Sequence, residues 1–199
     1  MQLRGVGLTV FISLCGPVFA QAQTIVTERE VQAALLALPP DLRPGAAVFS
    51  FASDGSRIQH RDGENGFACQ TDDPARAGLS VLCYHETLLP FESRRRELAR
   101  QEDGLPFNEL LDRLENEVRR GILSFPNVAS RFYLRAPADC FDLQTGYLCA
   151  DASRFFELVT PWQTGASMGL PEDQGSGLPW VMHSGTMMAH VMVEMPPVP

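Results

Sequence analysis

The chain has 199 residues, with 16 basic against 24 acidic side chains for a formal charge of −8, and every basic residue is an arginine. At 45% hydrophobic and 20% charged it can bury a core and is not a disordered tail. The acidic balance argues against a nucleic-acid partner, and the absence of lysine excludes Schiff-base chemistry and lysine-built phosphate loops.

Met1 to Ala22 reads as a signal peptide. Arg4 supplies the positive start, Val6 to Leu14 an apolar run too short to span a bilayer permanently, and Ala20 and Ala22 the small residues of a cleavage site. Residues 23–199 are then expected to form a single exported domain, periplasmic or secreted, with no membrane span after cleavage. Removing Cys15 with the leader leaves an even set of cysteines. In an oxidising compartment this predicts two disulfides, Cys69–Cys83 and Cys140–Cys149, each joining neighbours in sequence. Neither pair has the two-residue spacing of a zinc knuckle.

Thr27 and Glu30 form a capping box, and Val31, Ala34, Leu35 and Leu38 follow at helical spacing until Pro39-Pro40 stops the helix. Strands are expected over Ala46–Ala52, Arg57–Arg61, Gly66–Cys69 and Leu79–His85. Turns at Ser53–Ser56, Asp62–Gly66 and Asp72–Pro74 would join them into an antiparallel meander. The period then changes. Phe91–Gln101 and Phe107–Arg120 read as helices, the second with an apolar stripe of Phe107, Leu110, Leu111, Leu114 and Val118 and a glycine cap at Gly121. Strands return at Arg131–Arg135, Phe155–Thr160, Trp180–His183 and Met187–Met195, with an irregular loop over Thr164–Pro179. Strands interrupted by a helical block predict an α+β fold: an antiparallel sheet of short strands with an N-terminal helix and a central helical block.

Four constellations could carry chemistry. Gly165-Ala-Ser167-Met-Gly169 matches a nucleophile elbow, with Asp173 and then His183 or His190 following in hydrolase order. Pro171 and the glycines of 175–177 oppose the helix an elbow requires, so a glycine loop is the competing reading. The C-terminal hairpin is the second. A two-residue turn at Gly185-Thr186 sets His183 opposite Met188 and Val181 opposite His190. Alternation then gathers His183, Met188, His190 and Met192 on one face. Thioether and imidazole together suit copper in an exported protein; the competing reading is methionine filling a core, with no cofactor. Third, His85 beside Glu86 offers a base next to a carboxylate, although neighbours on a strand point to opposite faces. Fourth is Arg94-Arg95-Arg96 with Arg100: Arg96 and Arg100 share a helix face that could grip a carboxylate or phosphate, against a self-paired surface with Glu92, Glu97, Glu102 and Asp103.

The segment Asn65-Gly66-Phe67-Ala68-Cys69, with its second cysteine, helical middle and C-terminal strand Ala189–Val193, resembles a group of small exported bacterial proteins. The resemblance implies one exported domain and brings no activity and no site residues. The expectation is an exported α+β domain that binds an unidentified ligand or protein partner without catalysis. The alternatives are copper binding through the Met/His hairpin and a small serine hydrolase on Ser167.

Overall fold

The computed structural model describes residues 26–52, 55–72, 77–101 and 105–196. The segment Met1–Ala22, read from the sequence as a signal peptide, lies outside the described residues, as do parts of the turns at Ser53–Ser56 and Asp72–Pro74. The fold is α+β. Helix α1 (Glu28–Leu35) is followed by strands β1 (Ala47–Phe51), β2 (Arg57–Arg61), β3 (Phe67–Gln70) and β4 (Leu79–His85). Helices α2 (Leu89–Gln101) and α3 (Phe107–Arg119) come next, then β5 (Ala129–Ala136) and a two-stranded hairpin of β6 (Phe141–Asp142) and β7 (Tyr147–Leu148). Strand β8 (Ser153–Val159), the one-turn helix α4 (Gly165–Met168), β9 (Trp180–Met182) and β10 (His190–Glu194) complete the order.

Helix α1 starts where its chemistry dictates. The Thr27 hydroxyl accepts from the Glu30 amide while the Glu30 carboxylate accepts from the Thr27 amide. At its other end, the Arg43 side chain donates to the carbonyls of Leu36 and Leu38, and Arg154 donates to those of Ala37 and Leu38. Burial lowers the proton affinity of both guanidiniums. Val31, Ala34, Leu35 and Leu38 are buried as the spacing predicts.

The strands form one sheet in the order β2-β1-β3-β4-β5-β8-β10-β9. All neighbours are antiparallel except β1 and β3, so the predicted simple meander is corrected here. Strand β2 ends opposite the start of β1, and residues 62–66 wrap around that start to enter β3 on its other side. The wrap is tight: a Cβ on Gly63 would lie 2.3 Å from the Ala47 nitrogen. The Asn65 side chain donates to the Leu42 carbonyl at 2.7 Å and accepts from the Phe67 amide, and Gly66 follows with φ +75°. The Asn-Gly pair is therefore the corner of a crossover and not a hairpin turn. Both disulfides form as predicted; Cys69 and Cys83 stand directly opposite each other on β3 and β4.

Alternation along the strands divides the sheet into two faces. Val81, Cys83, Phe132 and Leu134 pack with α1 on one. On the other, Tyr84 packs with Phe49 and Leu88, and α2 and α3 lie over that end with their own core of Phe91, Leu98, Leu110 and Leu114. Two features fasten α2. Arg94 grips Glu117 of α3 through Nε and Nη2, with bonds of 2.6–3.1 Å. Glu92, 4% exposed, turns inward to Arg131 of β5, whose side chain is 13% exposed and also bonds Glu157 of β8. Burial alone would raise the Glu92 carboxyl, but Arg95 and Arg131 reverse this and hold it below the usual carboxylate range.

Removing Arg131 leaves two enclosed carboxylates without their shared cation. Arg131→Met is expected to cost about 3 kcal/mol in urea unfolding. The triple change Glu92→Gln, Arg131→Met, Glu157→Gln should recover part of the loss; equal losses in both would show that the trio is not an interacting unit.

Candidate functional site

Beyond the reach of α2 and α3, the same face of the sheet is open. Leu82 of β4, Tyr133 of β5 and Phe155 of β8 lie side by side by strand register, and Met192 of β10 stands beside Glu157, two residues further along β8 on the same face. They form the floor of a cavity of about 520 Å³. Phe107 and Leu111 of α3 make one wall, and Met182 and His183 at the end of β9 stand opposite. Phe107 thus leaves the helical core stripe assigned to it; it is 54% exposed on the cavity rim, while Leu110 and Leu114 are buried.

A second cavity of about 350 Å³ continues from the first and shares Leu82, Arg95, Tyr133 and Arg135 with it. Its lining is polar: Gln70, Ser80 and the guanidiniums of Arg95, Arg96, Arg100 and Arg135, with no carboxylate among the described lining residues. Arg95 pairs with Glu92 at 2.8 Å and Arg96 lies over the Phe51 ring at 3.9 Å. Arg135 stacks on Tyr133 and donates to its hydroxyl, which also meets Ser80 at 3.3 Å. The run Arg94-Arg95-Arg96 with Arg100 noted in the sequence supplies Arg95, Arg96 and Arg100 to this site, and Arg135 joins them from outside that pattern.

The opposite end of the trough holds the Met/His set. The predicted hairpin register is corrected by one residue: His190 pairs with Met182 and Val191 with Val181, and β10 begins at His190 rather than Met187. The two-residue turn is replaced by a seven-residue connection, 183–189. It is held by bonds to the 160–165 segment, among them Trp162 to the Thr186 carbonyl and Gly185 to the Gln163 carbonyl, both 2.8 Å. Met187 is drawn into the α2–α3 core, which costs the strand its first residues. His183 sits at φ +53°, and this left-handed corner turns it to the trough despite the changed register. His183, Met188, His190 and Met192 all line the one cavity. The His190 Nδ1 bonds the Met188 carbonyl at 2.7 Å. A carbonyl only accepts, so Nδ1 carries the proton and Nε2 the lone pair.

The Ser167 loop has a different character. Ser167 is the third residue of α4 and closes a capping box with Thr164; its hydroxyl donates to Thr164 and Gln163 oxygens at 2.9–3.0 Å. Asp173 caps the following turn through the Gly175 amide. Among the described residues no hydrogen bond joins Ser167 to Asp173, His183 or His190. Glu172, a residue the sequence pattern did not single out, joins the Gly165 amide to the Ser184 hydroxyl and braces the His183 corner. His85 caps a short 3₁₀ turn by accepting from the Thr87 amide, and Glu86 is exposed, so the two form no acid–base pair.

No helix among the described residues is long and apolar enough to cross a membrane, and no group of three or more His, Cys, Asp or Glu side chains gathers there. Comparison with protein-family models, with curated proteins and with solved structures finds no match.

Burial lowers the His190 proton affinity below the ordinary imidazole value, against the pull of Glu157. The folded value lies under the unfolded one of about 6.5, so this stabilising contribution is complete above that pH and is lost as pH falls through the folded value. Denaturant stability measured from pH 7.5 to 5 should therefore fall less in His190→Gln than in the parent. Parallel profiles would contradict the buried neutral imidazole.

Proposed function

We propose that the protein is an exported, non-catalytic binding domain whose trough holds a small anion with an apolar body. One observation carries the reading: a cavity floored by Leu82, Tyr133 and Phe155 opens at one end onto Arg95 and Arg135. Apolar surface supplies contact area and a few converging polar groups supply orientation, the usual division of labour in a small-molecule site. The guanidinium fork suits a carboxylate, sulfonate or phosphate. Export is supported by the leader-like Met1–Ala22 and by two disulfides, which persist in oxidising compartments. A hydrolase reading finds less support, because the Ser167 hydroxyl is committed to the capping box of α4, accepting from the Thr164 amide and donating to the Thr164 carbonyl.

The probe is 8-anilinonaphthalene-1-sulfonate, an aromatic body with one anionic group. The oxidised, folded chain should bind it saturably with enhanced fluorescence. Arg95→Glu with Arg135→Glu, and separately Phe155→Asp, should each weaken binding at least tenfold, about 1.4 kcal/mol or more, with circular dichroism unchanged. Leu36→Asp, at the C-cap of α1 on the far side of the sheet, should leave it unaltered. Binding indifferent to the trough variants would overturn the reading.

A further inference from the structure

The Met/His end of the trough has features that an anion site does not need. His183 and His190 come from opposite ends of the 183–189 connection, yet their ring centroids lie 5.6 Å apart with planes tilted by 51°. With metal–nitrogen bonds of about 2.0 Å and a ring centroid about 1.2 Å behind each nitrogen, two imidazoles sharing one ion have centroids about 5–6 Å apart. The His190 Nδ1–H is held by the Met188 carbonyl, the outer-sphere bond that ligating histidines typically make, and its lone pair is left on Nε2. Met188 and Met192 line the same cavity as both rings. His183 keeps an uncommon left-handed backbone, braced by the Ser184–Glu172–Gly165 hydrogen bonds. The nearby cation, Arg131, is already matched by two carboxylates, Glu92 and Glu157.

We infer that His183, His190, Met188 and Met192 form a binding site for one monovalent soft metal ion, copper(I) by preference. Two neutral thioethers and two neutral imidazoles place no anionic ligand on the ion. They favour copper(I), or silver(I) as its surrogate, over the hard divalent cations that want oxygen. The site is independent of the anion reading, because it uses neither Arg95 nor Arg135.

The test is anaerobic competition for copper(I) against bicinchoninate, using the full oxidised chain with Cys15→Ala so that no free thiol competes. One equivalent should be bound. His183→Ala, at an exposed position, and the double change Met188→Leu, Met192→Leu should each weaken binding at least tenfold, while Met195→Leu does not. X-ray absorption should show sulfur and nitrogen neighbours at about 2.3 and 2.0 Å. Anilinonaphthalene sulfonate binding and circular dichroism, run in parallel, report the trough and the fold separately. Copper(I) held equally by His183→Ala and the methionine pair, or not held by a parent chain that is folded, would overturn the inference whatever the dye does.

Discussion

The ion trio of Arg131 with Glu92 and Glu157 joins three elements that the rest of the structure depends on. Arg131 stands in the middle of the sheet, Glu92 on the helix that covers one end of its face, and Glu157 on the strand beside the Met/His end. Enclosed charges of this kind are costly to break and contribute modestly when whole, so their effect is chiefly to fix position. Here they set where α2 stops covering the sheet, and hence where the trough begins. The Arg94–Glu117 pair then carries α3 along with α2 and brings Phe107 and Leu111 to the cavity wall.

Because the sheet is covered by α1 on one face and only in part by α2 and α3 on the other, its strands need two kinds of alternation. On β5, Phe132 and Leu134 are core while Arg131, Tyr133 and Arg135 belong to the open face. On β8, Arg154 and Phe156 turn toward α1 while Phe155 and Glu157 face the trough. The trough is thus a band of sheet surface with basic groups at one end, thioethers and imidazoles at the other, and aromatic floor between. The two disulfides lie away from the band: one joins β3 to β4 beneath α1, the other closes the small β6–β7 hairpin. They brace the scaffold and leave the open face free.

Much of this was legible in the sequence where a local rule governs it. The Thr27–Glu30 capping box, the disulfide pairs and the two central helices follow from spacing and period, whereas His183 joins Met188, His190 and Met192 on one cavity through its left-handed corner and not through the predicted register. What escaped depends on tertiary context. The parallel β1–β3 pairing arises because residues 62–66 pass around the start of β1, whereas Asn65-Gly66 reads equally well as a plain turn. The β9–β10 register shifted because burial of Met187 outweighed the tight turn at Gly185-Thr186. The arginine end was partly visible: Arg95, Arg96 and Arg100 belong to one basic run on α2, but Arg135 alternates out of a strand whose other face is core. The alternation of Arg131, Tyr133 and Arg135 with apolar Phe132 and Leu134 was the signal that could have found them, and it looks the same as an ordinary solvated face.

Ligand binding should be confined to the trough. Labelling the methionine methyl groups with ¹³C places reporters on both sides of that claim. Met182, Met188 and Met192 line the trough, and Met195 packs against the α1-side core. On titration with anilinonaphthalene sulfonate, the Met182, Met188 and Met192 methyl resonances should shift together and saturate, with Met195 unmoved. Shifts confined to Met195, with the trough methyls silent, would contradict it.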